Sequence, residues 1–550
     1  MYEGPLNRER LFPKLRQDLI ERLRAFGRRV QKHPGEIVFD QGDIRGMYVV
    51  LDGRLEVVSP GIRGERHVTF AETGEFTGEV DILAGRRSLV RARAAVESEL
   101  LEICPADLRR VIQTDSELSE ILLRTFSLRR AHLVNEEFGD VVLIGSNHSA
   151  DTLRLKAFLS RNGHPFTYVD VERDTTSQHL LDHFHPNPED VPLVLCRDQP
   201  PMRNPSNAEV ARCLGFNPEI DEEKVYDLIV VGAGPAGLAA AVYAASEGLE
   251  VMVLESSAPG GQAAASSRIE NYLGFPTGLT GSDLAGRAFI QAEKFGAHIT
   301  IAQTVASLTC DRRPFVTECT GGSKARGHAV LVAAGVEYRK LPLANLSRFE
   351  GLGVYYAATY VESQLCDDDE VIVVGGGNSA GQAATFLAGH AKHVHILVRA
   401  SGLAESMSRY LIRRIEQSPN ITLRTRTEIE ALDGDTHLER VTWRNGANGE
   451  RETRDIRHVF SMTGANPNTA WLQGCVTFDE KSFIKTGLDL SAEELTAANW
   501  PLRRAPYLFE TSLPRVFAVG DVRSGSVKRV ASAVGEGSVA VQLIHKVLAE

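Results

Sequence analysis

The sequence has no Cys-x-x-Cys pair anywhere in its 550 residues. Its seven cysteines stand far apart, at Cys104, Cys196, Cys213, Cys310, Cys319, Cys366 and Cys475. Zinc sites and local dithiol motifs are recognised by closely spaced pairs, so the spacing predicts neither here. Isolated cysteines are most often small buried hydrophobic residues, and this pattern favours a reducing, cytoplasmic compartment.

An excess of positive charge and long hydrophobic runs are also absent. The net charge of −11 argues against nucleic acid or an anionic membrane as the main partner. No uncharged apolar run approaches the ~18 residues that a membrane span needs, and the polar, basic first residues lack the apolar region of a signal peptide. His179, His183 and His185 cluster in a polar stretch that is typical of a solvated face, so no metal site is predicted.

The chain is long enough for three or four domains. The spacing of apolar residues predicts a helix over 13–30, then short strands separated by glycine turns, then an amphipathic helix over about 105–134. A βαβ pattern begins at "DVVLIGS" and ends near Phe216. The acidic, proline-containing linker at 217–225 predicts a domain boundary.

A strand, three glycines and an Ala-rich helix follow one another in "DLIVVGAGPAGLAAAVYAASEGLEVMVLE". Gly232 permits a tight turn, Gly234 lets the backbone approach a pyrophosphate, and Gly237 allows close packing of helix on strand. Glu255 closes the next strand, where an acid accepts hydrogen bonds from the adenosine ribose. Strand, glycines, helix and acid together predict a dinucleotide site at the helix N-terminus.

A second fingerprint, "EVIVVGGGNSAGQAATFLAGHAKHVHILVRAS", begins about 140 residues later and predicts a second nucleotide domain. Gly375, Gly377 and Ala380 take its three small-residue positions. Arg399 closes the second strand in place of an acid. A cation there suits the 2′-phosphate of NADPH better than it suits NADH, and a solvated surface arginine is the alternative.

Near the C-terminus, Gly520-Asp521 follows an apolar strand. The acid could accept hydrogen bonds from a polyol, and by itself it is equally typical of a helix N-cap.

Residues 226–550 closely resemble the low-molecular-weight thioredoxin reductases over their whole length. The resemblance rests on both fingerprints, Gly520-Asp521 and four further segments: "GGQ" at 260–262, "IENYLGFP" at 269–276, "AAG" at 333–335 and "GANPNT" at 464–469. It implies FAD at Gly232, Gly234, Pro235, Ala236, Gly237, Glu255, Gly261, Gln262, Asn271, Ala334, Gly335, Gly520, Asp521, Arg529, Val530 and Ala531. It implies NAD(P)H at Gly375, Gly377, Asn378, Ser379, Ala380 and Arg399.

The sequence departs from that family at the catalytic dithiol, because the two cysteine positions fall on Ala357 and Tyr360. Disulfide exchange needs a thiolate, which neither side chain supplies. Tyr360 either stacks on or narrows access to the flavin, or fills the volume that sulfur vacated. Cys366 lies nearby in "LCDDDE", where three carboxylates would raise its pKa, so it is interpreted as a plain loop residue. The family's arginine pattern for NADPH is also incomplete around Arg399, which leaves NADH open.

Residues 137–220 resemble a thioredoxin or glutaredoxin domain. If Lys156 is the lysine of its first helix, the C-x-x-C motif falls on 149–152, which read Ser-Ala-Asp-Thr, and Val191-Pro192 is the turn with the cis-proline. This domain therefore also lacks both thiols. The thioredoxin-like and reductase-like units would form the two ends of one electron relay. The absence of the dithiol from both indicates that the route of the electrons has changed.

Residues 1–136 resemble a cyclic-nucleotide-binding domain, through Gly35, Gly42, Gly53 and the cassette "GEFTGEVDILAGRRSLVRA". The resemblance implies a ligand site of Gly78, Glu79, Arg87 and Ser88. Glu79 would hold the ribose 2′-hydroxyl, and Arg87 would pair with the cyclic phosphate. The cassette is about two residues shorter than in the catabolite-activator type. A degenerate β-roll that serves as a dimer or docking module therefore stays open.

The predicted fold class is multidomain α/β. It comprises an N-terminal β-roll with helices (1–136), a thioredoxin-like α/β domain (137–220) and two Rossmann-like three-layer domains. The FAD domain is discontinuous (221–343 and 465–550), and the NAD(P)H domain is inserted at 344–464.

Three functions compete for this chain. The first is an FAD-dependent NAD(P)H oxidoreductase that passes electrons to a quinone, an iron–sulfur protein or oxygen. The second is a redox sensor with little turnover, and the third is a scaffold without cofactor. The expected cofactors are FAD, NADPH or NADH and, if the β-roll is intact, a cyclic nucleotide. The family's homodimer is the expected assembly.

Overall fold

The computed structural model describes residues 8–61, 64–79, 81–136, 141–147, 149–172, 190–196, 199–217, 220–266 and 268–550. Of Ala84, Asn135, Tyr360 and Val361 it describes only the backbone. The histidines at 179, 183 and 185 lie outside the described residues. Within these ranges, no helix combines the length and apolarity that crossing a bilayer requires.

The N-terminal unit is an antiparallel β-roll flanked by helices. Strands β1, β7 and β3 form one sheet in that order, and β2, β6, β4 and β5 form the other. The elements are α1 (Arg8–Leu11), α2 (Gln17–Leu23), β1 (Arg28–Lys32), β2 (Ile37–Phe39), β3 (Met47–Asp52), β4 (Arg54–Gly61), β5 (Gly64–Glu72), α3 (Asp81–Ala84), β6 (Arg91–Ala94), β7 (Ser98–Ile103), α4 (Pro105–Thr114) and α5 (Ser116–Asn135).

Two helix predictions for this unit were wrong in extent. The helix expected over 13–30 covers only α2, because the chain becomes extended at Arg28 and pairs with β7. The helix expected over 105–134 is two helices. Asp115 adopts an extended conformation between them, and its side chain accepts a hydrogen bond from the backbone N–H of Leu118, which starts a new helix.

The middle unit is a small mixed sheet with two described helices. Strand β8 is parallel to β9 and antiparallel to β10, and β11 completes the edge. The Val191-Pro192 peptide bond is cis, as expected. The elements are β8 (Val141–Gly145), α6 (Ala150–Arg161), β9 (Thr167–Asp170), β10 (Leu193–Cys196), β11 (Met202–Arg203) and α7 (Asn207–Leu214).

The third unit is a seven-stranded sheet built from two separate parts of the chain. Strands β14, β13, β12, β17 and β28 are parallel, and β15 and β16 extend β17 as an antiparallel meander. The elements are β12 (Val225–Val231), α8 (Pro235–Ser246), β13 (Val251–Leu254), α9 (Gly281–Phe295), β14 (His298–Thr300), β15 (Val305–Thr309), β16 (Phe315–Cys319), β17 (Lys324–Val332) and, from the C-terminal part, α13 (Ala492–Ala497), β28 (Val516–Ala518) and α14 (Val530–Ala549).

The fourth unit is inserted into the third and is joined to it by an antiparallel ribbon of β18 (Val336–Tyr338) and β27 (Ala465–Pro467). Its parallel sheet has the order β19-β26-β20-β21-β22, beside a three-stranded meander of β23, β24 and β25. The elements are β19 (Val354–Tyr355), α10 (Tyr360–Ser363), β20 (Glu370–Val374), α11 (Asn378–Leu387), β21 (His393–Val398), α12 (Arg409–Gln417), β22 (Ile421–Thr425), β23 (Thr427–Asp433), β24 (Arg440–Asn445), β25 (Arg451–Arg454) and β26 (His458–Ser461).

Helix α6 of the middle unit contacts both nucleotide-type units. At its start, a Cβ built at Gly351 of the fourth unit would lie 2.9 Å from Cβ of Ala150. At its end, Nη2 of Arg161 donates to the carbonyl of Gly261 (3.2 Å), and Nδ2 of Asn162 donates to the carbonyl of Ser257 (3.2 Å). The helix therefore lies across the junction between the third and fourth units.

A buried arginine joins the first three units. Arg86 is 7% exposed, and its guanidinium lies 5.3 Å from the ring of Phe216 and 4.9 Å from the ring of Phe289. Asp81 of the β-roll is 3.6 Å from Nη1 of the same arginine. Glu293 of α9 is 5% exposed beside this group, and burial raises its pKa to about 8. Asp81 raises that pKa further, while the positive charge of Arg86 opposes the rise.

Four of the seven cysteines form disulfides, which contradicts the prediction that they are isolated. Cys196 in β10 pairs with Cys213 in α7, and Cys310 pairs with Cys475 across 165 residues of sequence. The free cysteines are Cys104, Cys319 and Cys366. Spacing could not reveal these pairs, because the folding of separate elements brings the partners together. The reducing compartment was predicted from isolated cysteines, so the two disulfides remove the basis of that prediction.

We expect the Glu293→Gln variant to be more stable than the wild type above about pH 8 and equally stable near pH 5. Folding raises the pKa of Glu293 from 4.5 to about 8, so the folded chain keeps a proton that the unfolded chain releases. The free energy of unfolding therefore falls as pH rises through this window, and glutamine removes that loss. Thermal unfolding from pH 5 to 9 measures the effect, with exposed Glu120→Gln as the control. Parallel pH profiles for Glu293→Gln and wild type would contradict it.

The disulfides predict three titratable thiols per unfolded chain without reductant and seven after reduction. Cys475→Ser should lower the thermal midpoint of the oxidised protein only, since a crosslink over this distance is worth up to about 5 kcal/mol by loop entropy. Cys104→Ser, which alters an exposed free thiol, is the matched control. Seven reactive thiols in the unreduced protein would show that the pairs do not form.

Candidate functional site

The glycines of the first fingerprint form a tight cradle between β12 and α8. Gly232 has a φ of +99°, and a Cβ there would lie 2.5 Å from the carbonyl oxygen of Ala333. A Cβ on Gly237 would lie 1.9 Å from the carbonyl oxygen of Gly232. Gly234 is the N-cap residue, and Pro235 begins the helix. The free amides and positive dipole end of α8 therefore face a cleft that fits a pyrophosphate.

Glu255 lies at the end of β13, where it was predicted, and is 6% exposed. Its Oε2 accepts from the N–H of Ala233 (2.7 Å), and its Oε1 accepts from the N–H of Ser257 (2.9 Å). These bonds orient the carboxylate beside the cradle. Oε1 also accepts from the N–H of Ala258 (3.2 Å) and from the hydroxyl of Ser256 (3.5 Å), so a ribose hydroxyl would compete with the long Ser256 contact.

The remaining predicted FAD residues line the same side of the unit. Gly261 has a φ of +54°, and a Cβ there would lie 3.1 Å from Cα of Gly234. Gln262 donates to the carbonyl of Val336, while Asn271 is exposed. The side chain and backbone N–H of Asn468 donate to the carbonyls of Ala334 (2.9 Å) and Gly335 (3.1 Å). The predicted Pro235 and Ala236 open α8, and Arg529, Val530 and Ala531 open α14.

Asp521 is in a short 3₁₀ turn, so the alternative of a helix N-cap is wrong; the N-cap of α14 is Arg529. Burial raises the pKa of the Asp521 carboxyl. Oε2 of Glu536 accepts from the N–H of Gly520 (2.7 Å), and Nζ of Lys528 donates to the backbone carbonyl of Asp521 (2.8 Å). Sequence reasoning missed Glu536 and Lys528, because neither belongs to a fingerprint.

The second cradle repeats the first between β20 and α11. Gly375 has a φ of +141°, and a Cβ there would lie 2.5 Å from the carbonyl oxygen of Met462. Gly377 is the N-cap of α11 and faces open space, while Ala380 is fully buried. Oδ1 of Asn378 accepts from the N–H of Ser408 (2.8 Å). This open helix end also fits a pyrophosphate.

Tyr338 links the two sites and was missed by the sequence reasoning. It lies in the connecting ribbon, and its hydroxyl is hydrogen-bonded to Ser379 at the start of α11. Burial raises the pKa of its phenol, and the negative charge of Asp521 contributes. Arg399 is exposed just past the end of β21. Tyr338 therefore lies between Ser379, at the start of α11, and Asp521 of the FAD-type unit.

The positions of the missing dithiol lie where the chain enters α10. Ala357 is half-buried, and Ala358 packs into the core of the fourth unit. The N–H of Thr359 donates to Oε2 of Glu362 (2.9 Å). The side chain of Tyr360 lies outside the described residues, so both interpretations of it remain hypotheses.

Cys366 is fully buried, and its thiol donates to the carbonyl of Glu362 (3.1 Å). Burial is the largest cause of its raised pKa, and the carboxylates that were expected to raise it are secondary. A thiolate at this position is therefore strongly disfavoured.

The four residues of the β-roll that were predicted to bind a cyclic nucleotide differ in burial: three are buried and one is exposed. Gly78, Glu79 and Ser88 are buried, and burial raises the pKa of Glu79 to about 7. Arg87 is exposed and packs on the middle unit, because a Cβ on Gly215 would lie 2.8 Å from its Nε. Arg87 therefore lies apart from the buried Gly78, Glu79 and Ser88, and its contact with a phosphate stays a prediction. The shortened cassette buries the preceding arginine instead.

Comparisons with known proteins agree with two of the three resemblances. The family model for pyridine nucleotide-disulphide oxidoreductases matches residues 226–537, and the model for the cyclic nucleotide-binding domain matches residues 29–115. The thioredoxin-like assignment of residues 137–220 stays a prediction.

The similar proteins are thioredoxin reductases. NADPH-dependent thioredoxin reductase 3 of Arabidopsis thaliana is 31% identical over 325 residues, which cover 58% of this chain and 57% of that protein. The thioredoxin reductase of Listeria innocua is 30% identical over 330 residues, 60% of this chain and 96% of that protein. The crystal structure of T. acidophilum thioredoxin reductase matches with a TM-score of 0.52 at 28% identity, over 59% of this chain and 99% of that chain.

The glycine cradles, the acid after β13 and the inserted second nucleotide-type unit all agree with the matched model. This chain therefore belongs to the pyridine nucleotide-disulphide oxidoreductase family, in a thioredoxin reductase-like form that carries an N-terminal cyclic nucleotide-binding domain.

Proposed function

We propose that this protein is an FAD-dependent NAD(P)H oxidoreductase that does not use an active-site dithiol. One observation carries the proposal: both nucleotide cradles are complete, while the chain has no Cys-x-x-Cys pair. When bound, FAD accepts a hydride from NAD(P)H and releases the electrons to an acceptor. The acceptor must be one that needs no thiol relay, such as a quinone, an iron–sulfur protein or oxygen.

The chain's own residues bind and orient the two cofactors. The N-termini of α8 and α11 receive the pyrophosphates, and Glu255 receives the ribose of FAD. Asp521 holds the polyol chain of FAD, with Gly520 fixed by Glu536. Tyr338 links the two sites through Ser379 and the nearby charge of Asp521. Arg399 favours NADPH over NADH.

The remaining cysteines do not replace the missing dithiol. Cys366 is held as a thiol by burial, and its hydrogen bond ties it to the backbone. The disulfide of the middle unit joins Cys196, which is fully buried in a strand, to the half-buried Cys213, so one of its two sulfurs is shielded from exchange. Helix α6 also places Ala150, at the start of the degenerate motif, against Gly351. The middle unit therefore acts as a fixed structural neighbour of the reductase, and thioredoxin reductase activity is not expected.

The β-roll is the regulatory part of the proposal. Its cassette includes Arg86, which packs on Phe289 of the FAD-type unit and on Phe216 of the middle unit. A ligand that shifts the cassette would thus change contacts with α9. The alternative is a flavin sensor with little turnover, which the same fused architecture also favours. The assembly is proposed to be a homodimer, as in the family that the chain resembles.

We expect NADPH to reduce the bound flavin rapidly under anaerobic conditions, and we expect no NADPH-dependent release of thiols from a protein disulfide. Stopped-flow absorbance of the flavin measures the first, and a thiol reagent measures the second. The matched control is the double variant Ala357→Cys, Tyr360→Cys, which restores a dithiol and should gain disulfide reduction. A flavin that neither NADPH nor NADH reduces would leave only the sensor. Disulfide turnover by the wild type would refute the dithiol-free mechanism.

The Arg399→Ala variant should raise the KM for NADPH by about tenfold and leave the KM for NADH within about twofold. A charge-assisted contact with the 2′-phosphate is worth enough free energy for that change. Steady-state flavin-dependent oxidation of both cofactors measures it. Arg440→Ala, in the meander of the same unit, is the control. Equal effects on both cofactors would show that Arg399 does not read the 2′-phosphate.

A further inference from the structure

The β-roll encloses a cavity that the flavin chemistry does not use. Its walls are mainly apolar and include Phe39, Val57 and Phe76, and three charged side chains, Glu79, Arg45 and Arg129, also line it. The cavity measures about 50 Å³. That is room for a few water molecules and too little for a nucleotide.

Two buried guanidinium groups face this cavity without a direct salt bridge among the described residues. Arg45 and Arg129 are each 6% exposed, and burial lowers their pKa values to about 10 and about 9, so both remain cations at neutral pH. Neither forms a salt bridge with a carboxylate in the part of the chain that the structure describes. Within the same ranges, Nη2 of Arg129 is buried with no hydrogen-bond partner. The charges of Glu79 and Glu75 act on these cations, but the unpartnered Nη2 of Arg129 still offers a donor that favours an anionic ligand.

Arg45 contacts the buried Ser88 of the cassette. Its Nε donates to Oγ of Ser88 (2.9 Å), and its guanidinium lies 3.9 Å from the ring of Phe39. Arg87, the next residue to Ser88, is turned outward onto Gly215. Arg45, which lies outside the cassette, therefore supplies a positive charge beside the buried Ser88.

The N-terminal segment closes the cavity. Phe12 lines it, and the guanidinium of Arg129 lies 4.7 Å from the Phe12 ring. Nε of Arg129 donates to the carbonyl of Leu11 (2.7 Å). Arg8 anchors the segment through a 2.7 Å ion pair with the buried Glu75. Residues 8–12, termed the plug below, thus occupy space that a ligand would need. The carbonyl of Leu11 also occupies one N–H donor of Arg129.

We propose that Arg45 and Arg129 form the anion site of the β-roll, for the phosphate of a nucleotide whose ribose hydroxyl meets Glu79, and that the plug must leave before this ligand enters. The proposal rests on the proposed regulatory role of the β-roll. It assigns the phosphate contact to Arg45 and Arg129 instead of Arg87. Ligand affinity is then reduced by the fraction of molecules in which the plug is closed. Release of the plug frees Arg129 and lets the cavity widen around the ligand.

The test is calorimetric titration of the full-length flavoprotein with cyclic AMP and cyclic GMP. Phe12→Ala, which weakens the plug, should bind about tenfold more tightly than the wild type. In the Phe12→Ala background, Arg45→Gln and Arg129→Gln should each weaken binding by about tenfold or more. Arg87→Ala is the matched control and should change binding by less than about twofold. Circular dichroism checks that each variant folds, and Arg45→Gln carries the test if Arg129→Gln does not.

Hydrogen exchange of residues 8–15 provides the second measurement. Ligand should speed exchange in this segment, because its contacts with Arg129 and Glu75 are lost. Loss of binding in Arg87→Ala but not in Arg45→Gln would overturn the anion site. Unchanged exchange with ligand bound would overturn the plug, and absence of binding by Phe12→Ala at millimolar nucleotide would overturn both. Anaerobic reduction of the flavin by NADPH in the same samples reports separately on the oxidoreductase.

Discussion

The close approach of a helix to the strand before it is the constraint on which both nucleotide sites depend. At Gly237 the helix backbone lies so near the carbonyl of Gly232 that any Cβ would clash, and in the second site the small Ala380 lies at 3.3 Å from the Cβ position of Gly375. Helix α8 carries mostly alanine, so it packs closely against the sheet, α9 and α14. This packing fixes the helix end, whose unpaired amides create the anion site.

A second constraint joins these sites to the N-terminal half of the chain. Arg86 is buried where three units meet, and its contacts are two aromatic rings and a buried aspartate rather than solvent. Removing a guanidinium from water is unfavourable unless neighbouring groups compensate. The neighbouring Glu293 makes the charge of this junction depend on pH, because burial raises its pKa to about 8. Rearrangement of the cassette and contact with α9 are therefore energetically linked.

The chain keeps the architecture of a disulfide reductase around a centre without sulfur. By the resemblance, the family's two cysteine positions fall on Ala357 and Tyr360. Cys366, the nearest cysteine in sequence, is a buried thiol whose raised pKa suppresses its reactivity. The middle unit meets the reductase through Ala150 and Gly351, with no thiol on either side of that contact. The two cradles, by contrast, keep each glycine that the geometry requires. Two nucleotide cradles thus occur in a chain that has no Cys-x-x-Cys pair.

Local chemistry explains which features the sequence alone determined. The two cradles, the acid at Glu255 and the general β-roll could be read from the chain, because each depends on residues adjacent in a strand, a turn or a helix. Tertiary structure decided the rest. The Cys310–Cys475 pair joins residues 165 apart, Arg87 turns outward because the middle unit offers Gly215, and Tyr338 gains its place only when the ribbon brings Ser379 and Asp521 near. Such contacts depend on how separate units pack, and no local pattern of residues encodes that packing.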